Sequence, residues 1–241
     1  MIAWLEPGAP FPPVSSALHR PNGLLAASVS LSAEQLIIAY RLGIFPWYAE
    51  GDPVLWWCPD PRMVLPTAQF HASRSLRKTL RAVLRSPTQE LRLDHDFAGV
   101  MRCCAAPRAG QDGTWITRAV IAAYCELANR DLAHSVELWD KDRLVGAIYG
   151  VSLGRMFFGE SMFSRVRDGS KIALATLDAI LSQEQVPVID CQQRTPHLAS
   201  LGARELPRHV FCAQVAQLVA QAPINWSAYQ GVRLNRFLEE Y

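Results

Sequence analysis

Apolar positions along the chain change period several times, and each change predicts an element. In AEQLIIAYRL (33–42) apolar residues fall at 36, 37 and 40, on one face of a helix. Ser32 before it is a good N-cap, Gln35 follows three places on as a capping box requires, and Gly43 suits a left-handed end. Leu76, Leu80, Val83 and Leu84 repeat the helical spacing between Ser73 and Arg85. Further helices are predicted from about Phe97 to Cys104 and from about Arg118 to Arg130. The period then drops towards two. HSVELWDKDRLVGAIYGVSLGRMFFGESMFS reads as three strands, with tight turns at Asp140–Arg143 and Leu153–Arg155. SKIALATLDAILSQEQ returns to helix, and VPVIDCQ is a buried strand.

Helices, an antiparallel meander, a helix and a strand together predict an α+β sandwich. GNAT-type acyltransferases have this order in their core, which is an analogy at fold level. Residues 1–31 read as loop-rich. The stretch GIFPWYAEGDPVLWWCPDPR (43–62) holds three of the seven Trp and four of the sixteen Pro. Its prolines break any long helix or central strand, so it reads as extended segments joined by turns at Glu50–Pro53 and Pro59–Pro61. A domain boundary is expected near Arg62, giving a small N-terminal α/β domain (1–62) and a larger domain (63–241).

With 241 residues, half of them apolar and 19% charged, the chain can bury a substantial core. A net charge of +2 excludes a generally basic chain but leaves a local basic patch open. Six Cys without a CxxC pair point to reduced thiols. The start MIAWLEPGAPFPPV has an acid and four prolines where a secretory signal needs a basic start and an apolar run. The longest mostly apolar stretch, Leu144–Gly154, is too short to span a bilayer. A soluble cytoplasmic protein is expected.

Candidate chemistry comes from a few polar residues in apolar surroundings. Asp190 and Gln192 in VIDCQQ alternate onto one strand face, where a carboxylate and an amide can orient a nucleophile. They can equally satisfy nearby backbone groups. Glu160 lies among Phe157, Phe158, Met162 and Phe163, so it needs a partner or takes a raised pKa. A cationic substrate amine and an internal Arg both fit that need. Arg74, Arg77, Lys78, Arg81 and Arg85 recur at helical spacing, a pattern shared by phosphate-tracking helices and by ordinary solvated faces. Trp115 follows a Gly turn in DGTWITR and suits either stacking or packing. No His or Cys pair has metal spacing, and no GxSxG, Walker A or GxGxxG occurs. The loop SRVRDGSK before the helix that follows the meander lacks the glycine-rich pattern by which GNAT enzymes hold the pyrophosphate of CoA, which disfavours that cofactor.

Several segments, in order, resemble the leucyl/phenylalanyl-tRNA protein transferases. They are PNGLLA (21–26), YRLGIFPWY (40–48), LWWCPDPR (55–62), GTWITR (113–118), AHSVELW (133–139), GESMFSR (159–165), SKIAL (170–174), IDCQ (189–192) and HLASLGA (197–203). The resemblance implies transfer of Leu or Phe, and less readily Met, from aminoacyl-tRNA to proteins that begin with Arg or Lys. The product is marked for N-degron proteolysis. It also implies a GNAT-like domain behind a small N-terminal one, and neither CoA nor metal. The implied catalytic set is Asp190, Gln192 and Glu160, with Asp190 polarising Gln192 against the incoming amine and Glu160 placing a substrate amine or the 3′ ribose. Trp47 and Trp115 resemble the pair that sandwiches the terminal adenine. Ile148 and Phe157 resemble the pocket for the transferred side chain, and Tyr40, Ser161 and Phe163 complete the implied substrate-binding set. Arg74, Arg77, Lys78, Arg81 and Arg85 become candidates for the acceptor stem. An aminoacyl ester is already activated, so amide formation needs no ATP.

Three departures stand out. SVSLS (28–32) replaces a GGDLS-like stretch, QRTPH (193–197) replaces VLNDH, and Ile148 stands where Met is often found. The alternatives are a CoA-dependent N-acetyltransferase and a non-catalytic tRNA-binding protein.

Overall fold

Two sheets organise the chain, whose computed structural model describes residues 2–107 and 114–241. In the first, β1 (Ala3–Leu5) runs parallel to β2 (Leu24–Ser28). β4 (Val54–Trp57) pairs antiparallel with β2 and with the short β3 (Phe45–Pro46). Two strands therefore occupy a region expected to be loop. LLAAS has four of its five residues buried, and burial on both faces removes the alternation by which a strand is read. Between β2 and β3 lies α1 (Ala33–Arg41). The Ser32 hydroxyl accepts from the Gln35 N–H at 3.1 Å, and Gly43, at φ +76°, turns the chain out of the helix.

The second sheet has the order β11-β5-β10-β9-β8-β7-β6. The meander lies where the pattern predicts it, as β7 (Ala133–Asp140), β8 (Arg143–Leu153) and β9 (Met156–Ser164), all antiparallel. α5 (Gly169–Gln183) leads to β10 (Val188–Asp190), parallel to β9. β5 (Arg62–Pro66) and β11 (Arg204–Leu206) extend the sheet beyond β10, and β6 (Gln89–Leu93) closes the other edge. These last three were not predicted. All five residues of RMVLP are buried, so β5 shows no alternation.

α2 (Arg74–Arg85), α3 (Phe97–Ala105) and α4 (Arg118–Asn129) match the predicted helices, and Ser73, Asp96 and Thr117 cap them through their side chains. α6 (Pro196–Ser200) and α7 (Arg208–Leu218) are additions. The described residues thus form a mixed α+β fold with two mixed sheets and seven α-helices.

Helices cover both faces of the large sheet. One apolar cluster joins Leu25 and Trp56 of the first sheet to Tyr40, Tyr124, Tyr149 and Phe158. The other packs α2 and α5 over Ile148, Phe157 and Ile189. The Trp56 indole donates to Ser28 and meets Phe11 edge-on.

Candidate active site

A defect in the β8–β9 ladder sets the first acidic residue. Tyr149 pairs with Ser161 and Gly150 with Gly159, which leaves Glu160 outside the ladder. Such a bulge re-aims a side chain. It also requires Gly150, because a Cβ there would lie 2.2 Å from the Phe158 carbonyl oxygen. The Tyr40 hydroxyl is 2.6 Å from Glu160 Oε1, the Tyr124 hydroxyl is 3.1 Å from Oε2, and the two hydroxyls are 2.5 Å apart. Three contacts need three protons, and two hydroxyls supply only two. Full pairing therefore requires a proton on the carboxyl itself. Burial of this carboxyl end pushes Glu160 up to about 7, although the hydroxyl bonds pull it down.

The second acidic residue closes β10. Asp190 is fully buried opposite Arg62, whose Nε donates to Oδ1 at 2.8 Å and whose Nη2 donates to Oδ2 at 2.7 Å. Arg62 Nη1 donates to the Gly43 carbonyl at 2.9 Å, and the guanidinium lies 4.7 Å from the Phe45 ring and 4.5 Å from the Phe211 ring. Gln192 does reach Asp190, but not by strand alternation. The strand ends at Asp190, and Gln192 takes φ +55°. Its backbone N–H donates to Oδ1 at 3.0 Å and its Nε2 to Oδ2 at 3.3 Å. Nε2 is also 3.5 Å from Glu160 Oε1. With the amide nitrogen facing two carboxyls, Gln192 Oε1 is the acceptor left for a ligand.

Trp47, Trp115, Glu160 and Gln192 line one cleft of about 240 Å³, with Phe45, Pro46 and part of the segment 191–198. Small-molecule sites run to roughly 300–1,000 Å³, so this cleft suits the end of a larger substrate better than a whole cofactor. Trp47 is 45% exposed, unusual for so large an apolar ring. The Trp57 indole N–H donates to the Trp47 carbonyl at 2.7 Å, which fixes the backbone beneath it. Cys191 also lines the cleft, but burial pushes its thiol well above the ordinary range, so it offers no thiolate at neutral pH.

The remaining predicted site residues lie elsewhere. Ile148 and Phe157 belong to the cluster on the α2/α5 face, and Phe157 packs near Trp226. Ser161 is half-buried opposite Tyr149. Phe163 is buried beneath Arg165. The Gly turn before Trp115 lies outside the described residues. Arg74, Arg77, Lys78, Arg81 and Arg85 are all exposed on α2, whose Leu76, Leu80 and Val83 face the core. Tyr124 and Arg62 were missed as site residues. Arg62 carried a signal, since a cation opening the apolar run MVLP needs a buried partner.

Comparison with known proteins gives the family of the chain. A model of the leucyl/phenylalanyl-tRNA protein transferases matches residues 64–216, and a model of their N-terminal domain matches residues 30–60. The chain belongs to the leucyl/phenylalanyl-tRNA protein transferase family. A leucyl/phenylalanyl-tRNA protein transferase of Burkholderia ambifaria is 58% identical over 230 residues, covering 94% of this chain and 91% of its own length. One from Cupriavidus taiwanensis is 59% identical over 229 residues, covering 93% and 92%. A GCN5-related N-acetyltransferase-like protein from Streptococcus suis overlaps 75% of this chain and 67% of its own at 15% identity, with a TM-score of 0.31, too low to support an argument. Family membership covers the first-sheet segment with Trp47 and the large sheet with Glu160, Asp190 and Gln192. Among the described residues no group of three or more His, Cys, Asp or Glu is arranged to hold a metal ion, and no helix is long and apolar enough to cross a membrane.

Proposed function

We propose that this chain transfers leucine or phenylalanine from aminoacyl-tRNA to the α-amine of proteins that begin with Arg or Lys. Methionine is a poorer donor, the product enters N-degron proteolysis, and the reaction takes place in the cytoplasm. Residues 1–62 form the small domain with Trp47, and residues 63–241 form a GNAT-like domain, read from the meander, α5 and parallel β10. One observation carries the reading: two aromatic rings, a carboxyl and an oriented amide share one cleft. Trp47 and Trp115 stack on the terminal adenine, as aromatic side chains do on single-stranded RNA ends. Ile148, Phe157, Ser161 and Phe163 are assigned to the pocket for the transferred residue on family resemblance alone, since all four lie outside the cleft lining.

The acceptor amine attacks the ester carbonyl. A C–N bond forms, the bond to the ribose oxygen breaks, and that oxygen takes up a proton. Gln192 Oε1 accepts from an amine N–H and aligns it. Asp190 already accepts four hydrogen bonds, so it orients Gln192 rather than taking a proton. Glu160, in its ionised form, takes the proton the amine sheds. An amine with pKa near ~8 needs little further help.

Labelled Leu is expected to pass from Leu-tRNA to a peptide beginning with Arg and not to one beginning with Ala. Absence of transfer to either would overturn the reading. Heat protection by acetyl-CoA but not by tRNA would favour an N-acetyltransferase instead. The exposed face of α2 is assigned to the acceptor stem. Replacing Arg77 and Arg81 with Ala is expected to weaken tRNA binding and to reduce the slope of log K against log salt by about 1–2. An unchanged slope would make that face merely solvated.

A further inference from the structure

We infer that Arg62 is a positioning residue, which aligns Gln192 through Asp190 against the cleft wall that carries Trp47. The inference rests on the transferase reading above. Arg62 opens β5 and is buried completely. On one side its fork grips both oxygens of Asp190, and those same oxygens accept the backbone and side-chain N–H groups of Gln192. On the other side Nη1 donates to the carbonyl of Gly43, the turn between α1, which carries Tyr40, and the segment Phe45–Pro46–Trp47. Phe45 of that segment lies against one face of the guanidinium, and Phe211 of α7 against the other. One rigid planar group thus joins the end of β10 in the large sheet to the wall built by the first sheet.

Packing alone does not explain this choice. A buried ion pair is a poor stabilising device, because desolvation offsets much of the attraction and an apolar pair of equal volume often does as well. Two parallel N–H···O bonds and a third from the same plane instead supply fixed direction. Lysine keeps the charge but not the fork.

The test is a double-mutant cycle on turnover, with Leu-tRNA and an Arg-initiated peptide, run well below each protein's Tm. Arg62→Lys is expected to lower kcat about 30–100-fold, the cost of a misplacement of about 1 Å. In a Gln192→Ala background, already about 100-fold slow, Arg62→Lys is expected to lower kcat no more than about threefold further, because both changes remove one function. A merely structural Arg62 would slow both backgrounds by the same factor, and that multiplication would overturn the inference. If Arg62→Lys does not fold, Phe211→Leu replaces it in the cycle, as it frees one face of the guanidinium without breaking the ion pair. Its expected loss is about 3–10-fold alone and vanishes beside Gln192→Ala, whereas multiplication again counts against the inference. A wild-type protein that transfers nothing would sink the transferase reading itself, an outcome distinct from multiplying losses in an active enzyme.

Discussion

Replacing Asp190 with Ala is expected to lower kcat for leucine transfer by about 10²–10³-fold while changing the Kd for Leu-tRNA by less than about threefold. The magnitude is that of removing one organised polar element from a transition-state site. Asp190 accepts its four hydrogen bonds from Arg62 and Gln192 and holds no position in the cleft lining beside Trp47 and Trp115, so donor binding survives its loss. Stability does not. The substitution leaves the Arg62 guanidinium buried without its counter-ion, a change that costs about 3–5 kcal/mol. At about 2–4 °C per kcal/mol for a chain of this size, Tm should fall by about 10 °C. Turnover must therefore be measured at a temperature where the variant is folded. Equal losses of kcat and of tRNA affinity would reduce Asp190 to a structural residue.

Glu160→Gln is expected to change the pH profile as well as the rate. With Glu160 titrating at about 7, wild-type kcat/KM should rise through two steps, one near 7 and one near ~8 from the acceptor amine. The variant should keep only the second step and run about 100-fold slower at pH 8. A variant profile of unchanged shape would remove Glu160 from proton transfer. Stability moves in the opposite sense. The folded-state pKa lies above the ordinary 4.5, so the folded protein binds the proton more tightly than the unfolded chain. The stability contributed by the protonated carboxyl is complete below about 4.5 and is lost as pH rises through about 7. Denaturant midpoints of the variant and the wild type should diverge over this window, the variant gaining about 3 kcal/mol relative to the wild type above it.

These residues also mark how far local pattern carries. Helices α1, α2 and α4 were legible to within a residue or two, because an apolar stripe and a capping hydroxyl are both short-range signals. The meander was legible for the same reason, since its turns are local. β2 and β5 were not, because a strand covered on both faces has no alternation to read. Glu160 drew notice as a lone carboxylate among aromatics, yet its two tyrosine partners come from α1 and α4, 120 and 36 residues earlier in the chain. Asp190 and Gln192 were paired correctly for a reason the backbone does not support, since a left-handed turn and not the pleat brings the amide round.

The sequence by itself determined helices α1 to α5, the meander, the family to which the chain belongs and the candidate residues for its chemistry. Ordered motifs and periodicity survive in one dimension because both are local. Tertiary structure alone decided that Arg62 is the counter-ion of Asp190, that a bulge turns Glu160 towards Tyr40 and Tyr124, and that Trp47 and Trp115 share one cleft with Gln192. Each of those facts joins residues from separate elements, and a buried polar group finds its partner by distance in space, not by spacing along the chain.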